Sequence, residues 1–83
     1  MRVRINLLGM KDIQEFITIC EAEGGKNELV CPRNNYRVNA CSVLGCLAAM
    51  EWDDLWFESE KDFYDKIEKW IVIGADDGNY IHE

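Results

Sequence analysis

The 83-residue chain has one proline, one histidine and four cysteines, with no Cys-x-x-Cys pair. With so little proline and an ordinary composition, nothing argues for disorder or low complexity. The cysteines stand at positions 20, 31, 41 and 46 with no histidine nearby, and the spacing of Cys41 and Cys46 is not that of a zinc knuckle. No stretch approaches the roughly 20 apolar residues of a membrane span. The first residues, Met-Arg-Val-Arg-Ile-Asn, hold no apolar run of signal length. The expectation is a cytoplasmic protein with reduced thiols. Basic residues are few: 9 Lys and Arg stand against 16 Asp and Glu, for a net charge of −7. Phosphate binding needs clustered cations, so nucleic acid is a poor partner.

What is present reads as one small globular domain. The charge is uneven: residues 51–83 hold eleven acids and three bases, while residues 1–50 hold five acids and six bases. An acidic lobe on a nearly neutral body is expected.

Residues 2–7 alternate, with Val3, Ile5 and Leu7 on one side and Arg2, Arg4 and Asn6 on the other, as in a half-buried strand. From Met10 the period changes. Met10, Ile13, Phe16 or Ile17, and Cys20 recur at helical steps, and Gly24-Gly25 closes the helix. Two short strands, 27–31 and 36–40, flank Pro32-Arg33-Asn34-Asn35, which reads as a hairpin turn. Ser42 is a good N-cap for a short helix running to Met50. Gly45 inside it costs about 1 kcal/mol relative to Ala, which a close approach to a neighbouring backbone would explain. Asp53-Asp54 forms a turn, and Leu55-Trp56-Phe57 a fourth strand. Ser59 and Asp62 resemble a capping box before a third helix, from Glu60 to about Val72, with Phe63, Ile67, Trp70 and Ile71 as its buried stripe. The order β-α-β-β-α-β-α is an α+β fold: a four-stranded antiparallel sheet, three helices on one face and a largely solvated face opposite. The domain is expected to end at residue 73, leaving 74–83 as an acidic tail.

The run Tyr36-Arg37-Val38-Asn39-Ala40-Cys41-Ser42-Val43-Leu44-Gly45 resembles the regulatory segment of the HPr family, the histidine-containing phosphocarriers of the bacterial sugar phosphotransferase system. That family often reads Val-Asn/Asp-Ala-Lys-Ser-Ile-Leu/Met-Gly here. The resemblance spans residues 2–72 and implies an open-faced sandwich. The family's Gly-Leu-His-Ala-Arg-Pro motif is replaced by Gly9-Met10-Lys11-Asp12-Ile13-Gln14. Lys11 stands where the phosphorylated histidine would be, and Ile13 where the arginine would be. A lysine ammonium is no nucleophile for phosphoryl transfer at neutral pH, and His82 lies far away in sequence. Phosphocarrier activity is therefore expected to be absent, and the protein is not expected to be an enzyme.

Ser42 matches the serine that HPr kinase modifies in some bacteria, with Cys41 in place of the family's lysine. The implied role is regulation by protein–protein contact, linked to the phosphotransferase system. The implied contact surface is Met10, Lys11, Cys46, Leu47 and Met50, with Ser42 as a phosphorylation candidate. No cofactor or metal is called for.

Other features have plainer readings. Ser42 serves equally as an N-cap alone, and Lys11 as a surface lysine. Cys20 and Cys31 read as buried small hydrophobes, while Cys41, just before a helix, is a candidate for a lowered thiol pKa. Trp56 and Trp70 read as core, and Trp52 as a candidate exposed contact. Asp53-Asp54 and Asp76-Asp77 lack calcium-loop spacing. The alternatives from other classes are a cysteine-based redox or metal-binding protein, and an interaction module unrelated to sugar transport.

Overall fold

A computed structural model describes residues 1–72. The elements are β1 (Arg2–Arg4), α1 (Met10–Glu23), β2 (Asn27–Cys31), β3 (Tyr36–Asn39), α2 (Val43–Ala49), β4 (Trp56–Ser59) and α3 (Tyr64–Ile67), the last continued by a 3₁₀ turn, Glu68–Trp70. The sheet order is β1-β4-β2-β3, and every neighbouring pair is antiparallel. The fold is thus α+β, with four antiparallel strands and three helices.

Alternation decides which side chains enter the core. Val3, Phe57, Leu29 and Val38 form one row across the four strands. They meet Ile13, Phe16, Ile17 and Cys20 of α1, Cys46 and Ala49 of α2, and Ile67 and Trp70 beyond. Phe16 stands edge-on to Phe57 at 5.1 Å and to Trp70 at 5.5 Å, and Phe57 meets Phe63 at 5.7 Å. Such pairs add about 1 kcal/mol each to what burial alone supplies.

The far face of the sheet is polar but not fully open. Val30 and Trp56 are buried there, so Trp56 is buried as expected, on the face away from the helices. The Arg2 guanidinium lies 4.9 Å from the centre of the Trp56 ring, and Asp54 accepts the indole N–H at 2.8 Å. Long arginine stems cover apolar surface while their charge stays wet. Glu28 and Glu58 face each other across β2 and β4, a repulsive pairing. Arg37 resolves it by donating to both, at 2.9 and 3.0 Å.

Local chemistry sets the joints. Gly24 and Gly25 take φ of 74° and 75°, a region favouring glycine, and so end α1. The buried Asn27 amide donates to the carbonyls of Cys20 and Gly24 at 3.3 and 3.1 Å, which ties the end of α1 to the start of β2. The hairpin turns at residues 32–35, with Asn35 at φ 57°. In α2 the close approach at Gly45 is real: a Cβ there would lie 3.0 Å from the Asn39 carbonyl oxygen and 3.2 Å from the Val38 Cβ.

Three expectations need correction. β1 is shorter than residues 2–7, although Ile5 and Leu7 keep the alternation and are buried. The third helix starts later and stops sooner. Ser59 belongs to β4, because its backbone exchanges hydrogen bonds with Met1 at 2.8 and 2.9 Å. Asp62 instead accepts the Tyr64 N–H at 3.2 Å, which moves the helix start to residue 64. At the other end Ile71 turns extended and bridges Ile5, while Val72 donates to Arg4 at 3.0 Å. The chain thereby lies along the outer edge of β1, where pairing displaces the last helical turn. The expected tail, with Asp76-Asp77 and His82, lies outside the described residues.

Helix propensity alone would make Gly45→Ala stabilising by about 1 kcal/mol. The crowded contact reverses that sign. Urea unfolding of Gly45→Ala should show a net loss of about 1 kcal/mol, since overpacking costs about 1–3 kcal/mol.

Candidate functional site

The side chains singled out in the sequence gather on the helical layer, where α1 packs between α2 and α3. The two flanks of α1 differ. Glu15 and Glu23 pair with Lys69 and Lys66 on the α3 side. At 3.6 residues per turn the opposite flank carries Met10, Gln14, Ile17 and Glu21, and this flank borders α2. Ile17 is buried, while Met10, Gln14 and Glu21 are exposed. The sheet directions make α1 and α2 antiparallel, so Met10 lies toward the C-terminal end of α2 and Glu21 toward its start.

Residues 43–50 contain no charged residue. Gly45 fixes the rotation of α2 by pressing against β3. Cys46 and Ala49 then point into the core, and Val43, Leu44 and Leu47 point out, 44%, 79% and 40% exposed. Met50 is half-buried against the core. Cys46 is therefore removed from the expected contact surface: its side chain is 0% exposed, and its thiol donates to the Ala40 carbonyl at 3.4 Å. Met10 is 45% exposed instead of lying within the buried stripe of α1. Lys11 is exposed at the start of α1 and makes no ion pair among the described residues. The exposed side chains along the α1–α2 face are thus Met10, Gln14, Val43, Leu44 and Leu47. Val43, Leu44 and Gln14 escaped the sequence reading.

Ser42 caps α2 as its sequence position implies. Its backbone is extended, and its hydroxyl oxygen accepts the Gly45 N–H at 3.0 Å. The side chain is half-buried, beside the apolar face.

The thiols are not primed for nucleophilic work. Burial, then the neighbouring Cys41, Cys46 and Glu21, push Cys20 from the ordinary 9.0 up to about 12. Burial and Cys41 push Cys46 up to about 11. Cys41 is also raised, by burial first and by the Glu21 carboxylate second; a contact with Asn27 opposes this. Cys41 therefore lies above its ordinary value, not below it, contrary to the sequence expectation. Cys31 is buried as expected. Among the described residues no group of three His, Cys, Asp or Glu side chains is placed to hold a metal ion.

The other candidates are structural. Trp52 is half-buried with its ring 5.9 Å from that of Tyr36. Asp54 holds the Trp56 indole and pairs with Arg4 at 3.6 Å. A shallow depression of about 620 Å³ on the far face of the sheet is lined by Arg2, Lys26, Glu28, Arg37, Glu58 and Glu60. The Arg37 bridge and the Arg2–Glu58 pair at 3.4 Å already hold two of its carboxylates.

Comparison with protein-family models, with curated proteins and with solved structures finds no match for this chain.

Two measurements follow. Ser42→Ala should lose about 1 kcal/mol of stability in urea, the usual contribution of a serine N-cap. Alkaline pH should also destabilise the fold through the buried thiols. An unfolded chain ionises its cysteines from pH 9.0, whereas folded Cys46 and Cys20 hold their protons to about 11 and 12. Stability is then complete below pH 9.0 and falls as pH rises toward 11. A Cys20→Ala/Cys46→Ala double variant should show a shallower fall in urea midpoint over that range.

Proposed function

We propose that this protein is a non-catalytic docking module that acts by protein–protein contact through the exposed α1–α2 face. One observation carries the reading: a helix without charge turns Val43, Leu44 and Leu47 to solvent. Isolated exposed apolar residues need no explanation, but a contiguous stripe of them beside the exposed Met10 favours an interaction surface.

The similarity of residues 36–45 to the HPr regulatory segment supports placing that contact in regulation linked to the sugar phosphotransferase system. Lys11 at the histidine position supports the absence of phosphocarrier chemistry. Ser42 is the proposed phosphorylation site. Its oxygen accepts a hydrogen bond in the cap, so its own proton is left free to be exchanged for a phosphoryl group. The added charge would sit at the edge of the apolar stripe and beside first-turn N–H groups, changing what that face binds. The protein is expected to work in the cytoplasm; no helix among the described residues is long and apolar enough to cross a membrane.

The test is amide NMR with Enzyme I and with HPr kinase. Shifts should cluster at Met10, Gln14, Val43, Leu44 and Leu47, and Leu47→Asp should weaken binding about tenfold. Absence of binding to either protein, or shifts on the far face of the sheet, would overturn the phosphotransferase link. With Enzyme I and phosphoenolpyruvate the mass should stay unchanged. With HPr kinase and ATP it should rise by one phosphoryl group at Ser42.

A further inference from the structure

Charge surrounds the apolar stripe unevenly. On the α3 side of α1 the acids are engaged: Glu15 and Glu23 pair with lysines, and Asp12 accepts the Leu8 N–H at 2.9 Å. On the α2 side they are not. Glu21 is exposed at one end of the α1–α2 face, close enough to Cys41 to raise its pKa. Glu51 and Asp53 are exposed just past the other end of α2. None of these three carboxylates makes an ion pair or a side-chain hydrogen bond among the described residues. Glu51 continues the solvent-facing stripe, one helical turn beyond Leu47. Lys11 is the cation bordering this surface, which leaves the rim net negative.

We infer that this exposed face receives a cationic amphipathic helix from another protein, with its apolar side on Val43, Leu44, Leu47 and Met10 and its Lys or Arg residues against Glu21, Glu51 and Asp53. This deepens the docking reading and rests on it. A helix is favoured over a strand: α1 and α2 are both helices whose backbone groups are paired within them, so the face offers side chains and no ladder of free N–H and C=O groups. An apolar centre with a charged rim is the usual composition of such a contact. Charge disfavours the rival occupants. A second copy would bring another −7 and the same acidic rim, and an anionic lipid surface would be repelled.

The experiment uses three synthetic probes and the whole protein. One is a Leu/Lys amphipathic peptide of about 14 residues, four helical turns. The second is its Leu/Glu counterpart, and the third is a vesicle containing anionic lipid. Amide NMR should place the Leu/Lys peptide at Met10, Gln14, Val43, Leu44, Leu47 and Glu51. Leu44→Asp and Leu47→Asp should each weaken binding about tenfold although they add negative charge, and Glu51→Lys with Asp53→Lys should weaken it by a similar factor. All four positions are exposed, so unchanged thermal midpoints should confirm folding. Unchanged or tighter binding by the leucine variants would reduce the contact to general charge attraction and overturn the proposal. Binding of the Leu/Glu peptide at the same residues would keep the docking reading and overturn its cationic partner. Shifts outside this face with both peptides would overturn both. Vesicle binding, or a dimer in sedimentation that Leu44→Asp breaks, would give the surface to a membrane or a second copy and equally overturn the proposal.

Discussion

The edge-to-face contact between Phe16 and Phe57, 5.1 Å between ring centres, is what the rest of the structure is built around. It joins the middle of α1 to an inner strand of the sheet. Trp70 closes on the other side of Phe16, and Phe63 on the other side of Phe57. Four rings from three parts of the chain thus share one packed centre, all 5% exposed or less. The C-terminal helical segment is short, a four-residue helix and a 3₁₀ turn, and would be marginal alone. It is held because two of these rings belong to it or border it, and because Ile71 and Val72 then pair along β1.

That anchoring explains where the sequence was legible and where it was not. Alternation at Val3, Ile5 and Leu7, the helical period through Ile13, Phe16 and Cys20, the Gly24-Gly25 stop and the Ser42 cap are local signals, and local geometry obeyed them. The Ser59–Asp62 pattern is also a local signal, but Ser59 was already committed to Met1, 58 residues away in sequence. A long-range strand pairing outranks a capping preference worth about 1 kcal/mol. The same holds for Trp56. Its parity along β4 puts it on the far face, and only the folded sheet brings the Arg2 stem across to cover it.

The apolar second helix was legible in position but not in orientation. An amphipathic helix announces its buried side by the polar residues on the other. In α2 there are none: Val43, Leu44, Cys46, Leu47, Ala48 and Ala49 are all apolar or small. Its rotational phase therefore cannot be read from periodicity, and nothing local opposes the family resemblance that implies Cys46 on the contact surface with Leu47. The phase is set by Gly45, where a Cβ would lie 3.0 Å from the Asn39 carbonyl oxygen and 3.2 Å from the Val38 Cβ of β3. Once that side faces β3, Cys46 and Ala49 must enter the core and Leu44 must leave it.

This constraint also bears on what kind of function the chain can support. The contact that buries Cys46 raises its pKa along with that of Cys20, so the thiols nearest the exposed stripe are held protonated at neutral pH. The rotation that silences them is the one that presents Val43, Leu44 and Leu47. Turning α2 by about 100°, one residue's step, would bring Leu47 to the core and press Cys46 against β3 where Gly45 now lies. Gly45 thereby keeps Leu44 and Leu47 at the surface. On the docking reading proposed above, with Lys11 a poor phosphoryl acceptor, specificity rests on the exposed apolar side chains and the charges beside them, and a phosphoryl group on Ser42 would change that charge.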